Sequence, residues 1–169
     1  MTKVVLAAGG KGTRIASVAS DIPKPMIPIE GVPVLEREII SLREQGFTDI
    51  TLTVSHMADY IMHYFGNGRK FGVHIDYFVE KEPLGNAGAL FKLKDRLTED
   101  FLFLIADAVF DVDFNRLLEY HKAKGGLVTI FTHPNSHPYD SGVVIADKNG
   151  AVEKWLNKED VRPQWYKNR

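Results

Sequence analysis

Apolar positions along this chain change period several times, and each change marks an element. Val4 to Ala8 is a short apolar run ending at Gly9-Gly10, which predicts a buried first strand feeding a loop. Residues 34–46 place Leu35, Ile39, Ile40 and Leu42 close to helical spacing, with Gly46 as the stop signal. Asp49 to Val54 is β-branched and predicts a strand, Ala58 to Phe65 a helix ended by Gly66-Asn67-Gly68, and Val73 to Val79 an alternating strand. Gly88 to Leu97 reads as a helix with Leu90, Phe91, Leu93 and Leu97 on an apolar side. Phe101 to Ala106 is apolar throughout and reads as a central strand. Asp113 is placed to cap a helix running to about Lys124, which Gly125-Gly126 stops. Leu127 to Thr132 predicts a strand. Val143 to Ile145 and Val152 to Trp155 predict two more, joined by the turn Asp147-Lys148-Asn149-Gly150.

Strand and helix alternate from residue 3 to about 132, the pattern of βαβ units. The expected fold class is α/β, with a mainly parallel sheet flanked by helices and made mixed by the late hairpin. No repeat, low-complexity tract or linker interrupts it, so residues 1–169 are expected to form one domain.

Composition narrows the chemistry. Lys plus Arg number 21 and Asp plus Glu 22, a near-neutral balance that argues against a nucleic-acid binder with a broad basic surface. There is no cysteine, hence no disulfide framework and no Cys-based zinc site or nucleophile. No run of 18 or more apolar residues appears, and the N-terminus has no stretch long enough for a signal peptide. The expectation is a soluble, cytoplasmic protein without a membrane partner, its oligomeric state left open with a homo-oligomer allowed.

The segment Leu6-Ala7-Ala8-Gly9-Gly10-Lys11-Gly12-Thr13-Arg14 carries the most information. Three glycines let the backbone turn tightly and bring its N–H groups against an anion, and Lys11 and Arg14 add positive charge. A dinucleotide fingerprint fails, because Gly10-Lys11-Gly12-Thr13-Arg14 is followed by Ile15 where glycine or alanine is needed. A P-loop fails too, because Lys11 is followed by Gly12. A loop L-A-A-G-G-x-G-T-R followed by P-K-P, here Pro23-Lys24-Pro25, resembles the signature of the sugar-1-phosphate nucleotidyltransferases that make NDP-sugars. The prolines are expected to hold Lys24 in an extended, stiff segment.

Three further segments carry the same resemblance. Glu80-Lys81-Glu82-Pro83-Leu84-Gly85-Asn86-Ala87-Gly88 looks like the family's E-x-x-P-L-G-T-A-G segment at the base and ribose, with Asn86 where Thr is usual. Gly85 and Gly88 are expected to leave room for a flat group. Ile105-Ala106-Asp107 places a carboxylate at a strand end where the family has G-D. Tyr139-Asp140-Ser141-Gly142 and Val152-Glu153-Lys154-Trp155-Leu156-Asn157-Lys158 resemble its sugar-contacting segments, with Asn157 where Glu is usual.

The resemblance implies a Rossmann-like fold of the nucleotide-diphospho-sugar transferase type. It implies transfer of a nucleoside monophosphate from an NTP to a sugar 1-phosphate, with release of pyrophosphate. Arg14 and Lys24 would be catalytic. Leu6, Ala7, Ala8, Gly9, Gly10, Lys11, Gly12, Thr13, Glu80, Pro83, Gly85, Asn86 and Ala87 would bind nucleotide. Gly142, Asn157 and Lys158 would bind the sugar phosphate, and Asp107 would hold Mg²⁺. The P-L-G-x-A-G wording resembles guanylyltransferases for mannose- or heptose-1-phosphate and points to GTP, while uridylyltransferases look similar in the first loop. Family members continue with an N-x-G segment and a second metal-binding Asp. This sequence ends at Lys167-Asn168-Arg169, so the expectation is a domain lacking its C-terminal part. The rival class is a non-catalytic nucleotide- or sugar-phosphate-binding regulatory subunit on the same fold.

Overall fold

Val4, Val5 and Leu6 are fully buried because the strand they form runs between two others. The computed structural model describes residues 2–10, 21–82, 84–85, 87–134 and 141–161. The elements are β1 (Lys3–Ala7), β2 (Pro28–Ile29), β3 (Val32–Pro33), α1 (Val34–Glu44), β4 (Asp49–Val54), α2 (Ala58–Phe65), β5 (His74–Val79), α3 (Gly88–Lys92), β6 (Phe101–Ile105), α4 (Phe114–Lys124), β7 (Val143–Ala146) and β8 (Val152–Leu156). The chain divides into two compact units, Met1–Asn115 and Arg116–Arg169.

The first unit holds a four-stranded sheet in the order β5-β4-β1-β6, parallel throughout. Its inner strands β1 and β4 are buried along nearly their whole length, as parallel strands covered on both faces are. Ile50, Leu52 and Val54 of β4 are fully buried, and the Thr51 and Thr53 between them nearly so. The fold is α/β and Rossmann-like. Among the described residues, antiparallel pairing is confined to two small sheets of their own, β2-β3 and β7-β8. Lys3 Nζ meets Asp49 Oδ2 at 2.8 Å, tying the starts of β1 and β4 together.

The sequence placed most elements within a residue or two. Phe101–Ile105, expected to be central, pairs only with β1 among the described residues and lies at that end of the sheet. The helix expected from Gly88 to Leu97 breaks after Lys92 and resumes as a 3₁₀ turn at Lys94–Arg96. The small β2-β3 hairpin was not anticipated. Its turn residues Glu30 (φ 51°) and Gly31 (φ 80°) both take positive φ, the requirement of a tight two-residue hairpin turn.

Gly68 shows why this loop needs glycine. It has φ 83°, and a Cβ there would lie 2.7 Å from Ile75 Cγ1 and 2.8 Å from the Val73 carbonyl oxygen. Gly68→Ala should therefore lower stability by roughly 1–3 kcal/mol, read as a reduced urea midpoint at unchanged m-value.

In the second unit β7 and β8 form the expected hairpin. Asp147 Oδ1 accepts the N–H groups of Asn149 and Ala151, each at 2.8 Å, and closes the turn. The Ala151 amide, aided by that of Asn149, holds the Asp147 carboxyl below its ordinary range. Leu127 to Thr132, expected as a strand, is not one. Leu127 and Val128 are exposed, and no described strand pairs with them. β-Branched residues favour strands only where a neighbouring strand and a packed face receive them. Among the described residues, no helix is long and apolar enough to cross a membrane.

Candidate active site

Because the four strands of the main sheet are parallel, their carboxyl ends share one edge. The chain leaves β1 to build β4 and β5 on one side, then returns to place β6 on the other. The crevice between β1 and β6 is the switch point where open α/β sheets bind ligands. Lys24 follows β1 and Asp107 follows β6, so the topology brings both to that crevice.

The two side chains meet there, Lys24 Nζ donating to Asp107 Oδ2 in a salt bridge. They are 34% and 31% exposed, open enough for solvent and ligand to reach. Ala106, just before Asp107, is fully buried, and its N–H donates to the Ala7 carbonyl at 3.0 Å. That bond extends the sheet past β6 and fixes where Asp107 leaves it. Lys24 does not lie in an extended segment. Only Pro23 (ψ 141°) is extended, and Lys24–Met26 form a 3₁₀ turn. The Met26 N–H donates to the Pro23 carbonyl at 2.7 Å, and Pro25 and Met26 are buried. The bias of a pre-proline residue against helical backbone is overridden by that turn and its packing.

Of the glycine loop, Gly9 and Gly10 are described, and Lys11, Gly12, Thr13 and Arg14 lie outside the described residues. Leu6 and Ala8 are buried, so their side chains serve the core. Ser55 Oγ donates to the Gly9 carbonyl at 2.7 Å, and the Ala8 N–H to that of Thr53 at 2.8 Å, so the end of β4 clamps the start of the loop. Glu80 stands on the other side. A Cβ on Gly9 would lie 3.5 Å from Glu80 Oε1, while Oε2 accepts the Leu84 N–H at 3.3 Å. Glu80 thus braces its own loop beside the glycine loop. Gly85 (φ 73°) has open space where a Cβ would be, as expected. At Gly88 a Cβ would lie 2.7 Å from the Leu84 Cβ, so the close approach of Leu84 requires glycine there. Ala87 is exposed just before α3, and Pro83 and Asn86 lie outside the described residues.

Two residues escaped the sequence reading. One is Ser55, whose hydroxyl holds the Gly9 carbonyl. Glu38 occupies the apolar stripe of α1 with Val34, Leu35, Ile39 and Leu42, while Ile40 is only half-buried. Glu38 is 5% exposed, and among the described residues neither carboxyl oxygen has a hydrogen-bond partner. Burial pushes its carboxyl up to about 8. The Ala108 amide opposes this without forming a full hydrogen bond, and the Asp107 charge adds to it. The signal available in the sequence was a charged residue three positions after Leu35 and four before Leu42.

Gly142, Asn157 and Lys158 belong to the second unit. The Trp155 ring lies over Gly142, where a Cβ would come within 3.1 Å of it, and its Nε1 donates to Asn157 Oδ1 at 3.1 Å. Lys158 is exposed, 3.6 Å from Glu159. Among the described residues there is no cluster of three or more His, Cys, Asp or Glu suited to a metal. A Mg²⁺ site of one carboxylate completed by phosphate oxygens and water needs no such cluster, and Asp107 fits that kind.

A parallel sheet carrying a glycine loop and a Lys–Asp pair at its switch point defines a nucleotide-binding α/β protein. The chain belongs to the nucleotidyl transferase family, whose sequence model matches residues 3–165. It is 37% identical over 173 residues to UTP–glucose-1-phosphate uridylyltransferase of Synechocystis, covering 94% of this chain and 45% of that protein. It is 35% identical over 144 residues to D-glycero-alpha-D-manno-heptose 1-phosphate guanylyltransferase of Aneurinibacillus thermoaerophilus, covering 85% of this chain and 62% of that one. The crystal structure of HddC from Yersinia pseudotuberculosis complexed with GMP-PN matches with a TM-score of 0.72 at 29% identity, over 93% of this chain and 69% of that chain. The chain thus spans less than two thirds of the curated relatives' length.

Proposed function

We propose that the chain transfers a nucleoside monophosphate from an NTP to a sugar 1-phosphate, releasing pyrophosphate and leaving an NDP-sugar. The observation that carries this reading is the meeting of Lys24 and Asp107 at the β1–β6 crevice, beside the glycine loop. A sugar-phosphate oxygen attacks the α-phosphorus, and the bond to the pyrophosphate oxygen breaks on the far side. No base is needed, because a phosphate monoester has its second pKa near ~6 and is already mostly ionised. Catalysis then consists of positioning and charge stabilisation.

Lys24 neutralises the α-phosphate as charge develops there. The glycine-loop amides and Arg14 hold the β- and γ-phosphates, and Glu80 keeps the neighbouring base loop in place. Asp107 would hold Mg²⁺, which when bound would supply positive charge to the phosphate oxygens. Gly142, Asn157 and Lys158 take the sugar phosphate. The Lys24–Asp107 salt bridge keeps both groups at the crevice, where Lys24 would meet a phosphate oxygen and Asp107 would hold Mg²⁺.

We put GTP first as donor and a mannose- or heptose-type 1-phosphate as acceptor. The P-L-G-x-A-G segment, the heptose 1-phosphate guanylyltransferase relative and the GMP-PN complex of HddC support that choice. The uridylyltransferase relative makes UTP the second arm of the test. The protein is assayed with each of the four NTPs and a series of sugar 1-phosphates, reading pyrophosphate. Release with GTP and a mannose-type acceptor is expected. Release with UTP and glucose 1-phosphate would change the base and keep the reaction. No release with any pair, alongside tight NTP binding, would favour the regulatory subunit instead. The soluble, cytoplasmic setting expected from the sequence suits an enzyme of this kind.

A further inference from the structure

Glu38 stands where α1 otherwise buries only apolar side chains. Burying a carboxyl without a hydrogen-bond partner costs more than burying leucine or methionine at the same place. Packing therefore gives no reason for a glutamate here, and an unpartnered buried polar group calls for another one. What the carboxyl faces supplies it. Its neighbours are the Ala108 amide, one residue past Asp107, and the charge of Asp107 itself. The same helix packs against the 3₁₀ turn that carries Lys24. Helix α1 thus packs on the turn that carries Lys24 and places Glu38 near the Ala108 amide and the Asp107 charge.

We propose that Glu38 is a positioning residue for Asp107: its carboxyl seats the turn Ala106–Ala108 through the Ala108 amide and so fixes the direction in which the Asp107 carboxylate is presented. The contact falls short of a full hydrogen bond, and catalytic-site contacts of this kind tighten in the substrate complex. Outer-shell groups of this kind typically matter about 10- to 100-fold in metal affinity or activity. The inference rests on the reading of Asp107 as the metal-holding group of a nucleotidyl transfer.

The test compares Glu38→Leu and Glu38→Gln with the parent by thermal unfolding, by Mn²⁺ affinity in the presence of NTP from electron paramagnetic resonance, and by pyrophosphate release. The leucine variant is expected to fold, with Tm raised by a few degrees because an unpartnered polar group is gone. Its Mn²⁺ affinity and its kcat should each fall about tenfold or more, with KM for the NTP little changed. Glutamine keeps the shape and one acceptor oxygen and should rescue most of both losses. A leucine variant that binds Mn²⁺ and turns over like the parent overturns the proposal. So does one that fails to fold, which would make Glu38 a structural residue, and so does a glutamine variant as impaired as leucine. If the parent itself released no pyrophosphate, the proposed reaction would fall, and the Mn²⁺ affinities, read without turnover, would still decide the role of Glu38.

Discussion

Lys24→Ala is expected to release pyrophosphate about a hundredfold more slowly than the parent while unfolding at nearly the same temperature. A cation aimed at charge that develops in the transition state contributes about 3 kcal/mol to lowering the barrier. The loss should appear mainly in kcat, because the α-phosphate gains charge only as the reaction proceeds. Stability should hardly move. Lys24 and Asp107 are each about one-third exposed, and ion pairs of that kind contribute roughly 1 kcal/mol or less. The checks are a steady-state assay with pyrophosphate as readout and a thermal melt of the same sample. Turnover at the parent's rate would remove Lys24 from the chemistry.

The second large effect is on stability as pH changes, and it comes from Glu38. Burial first, and the Asp107 charge after it, raise its carboxyl from 4.5 to about 8 in the folded state. In the unfolded chain it titrates near 4.5. Between these values the folded state holds a proton that the unfolded state has released. The stability linked to that proton is complete below about pH 4.5, and it fades as pH rises through 8. The span is on the order of a few kcal/mol. Urea unfolding at a series of pH values between 5 and 9 should show the parent losing this stability, and Glu38→Gln should remove the slope. Equal slopes in parent and variant would mean that Glu38 ionises much as an exposed glutamate does.

The parallel sheet was legible in the sequence because its inner strands are short apolar or β-branched runs, as Val4–Leu6 and Ile50–Val54 are. Lys24 and Asp107 were legible as motif residues, but their meeting was not. They lie 83 positions apart, and only the order β5-β4-β1-β6 brings them together. Glu38 was hidden by the habit of counting apolar residues on a helix, which credited Ile40 and passed over a carboxyl on the buried face. Ser55 was hidden because its partner is a backbone carbonyl 46 positions away. That Leu84 packs against Gly88 was not legible either, because it depends on where one side chain turns. Leu127 to Thr132 has strand composition, and composition does not supply a partner strand.

The most direct measurement of the central claim is a crystal structure of the protein with Mn²⁺ and a non-hydrolysable NTP analogue. An anomalous peak in contact with the Asp107 carboxylate, with the Lys24 ammonium moved onto the α-phosphate and the β- and γ-phosphates against the Gly9–Gly10 loop, is the predicted result. A nucleotide bound elsewhere, or one bound while Lys24 and Asp107 still hold each other and the metal sits on other groups, would contradict it.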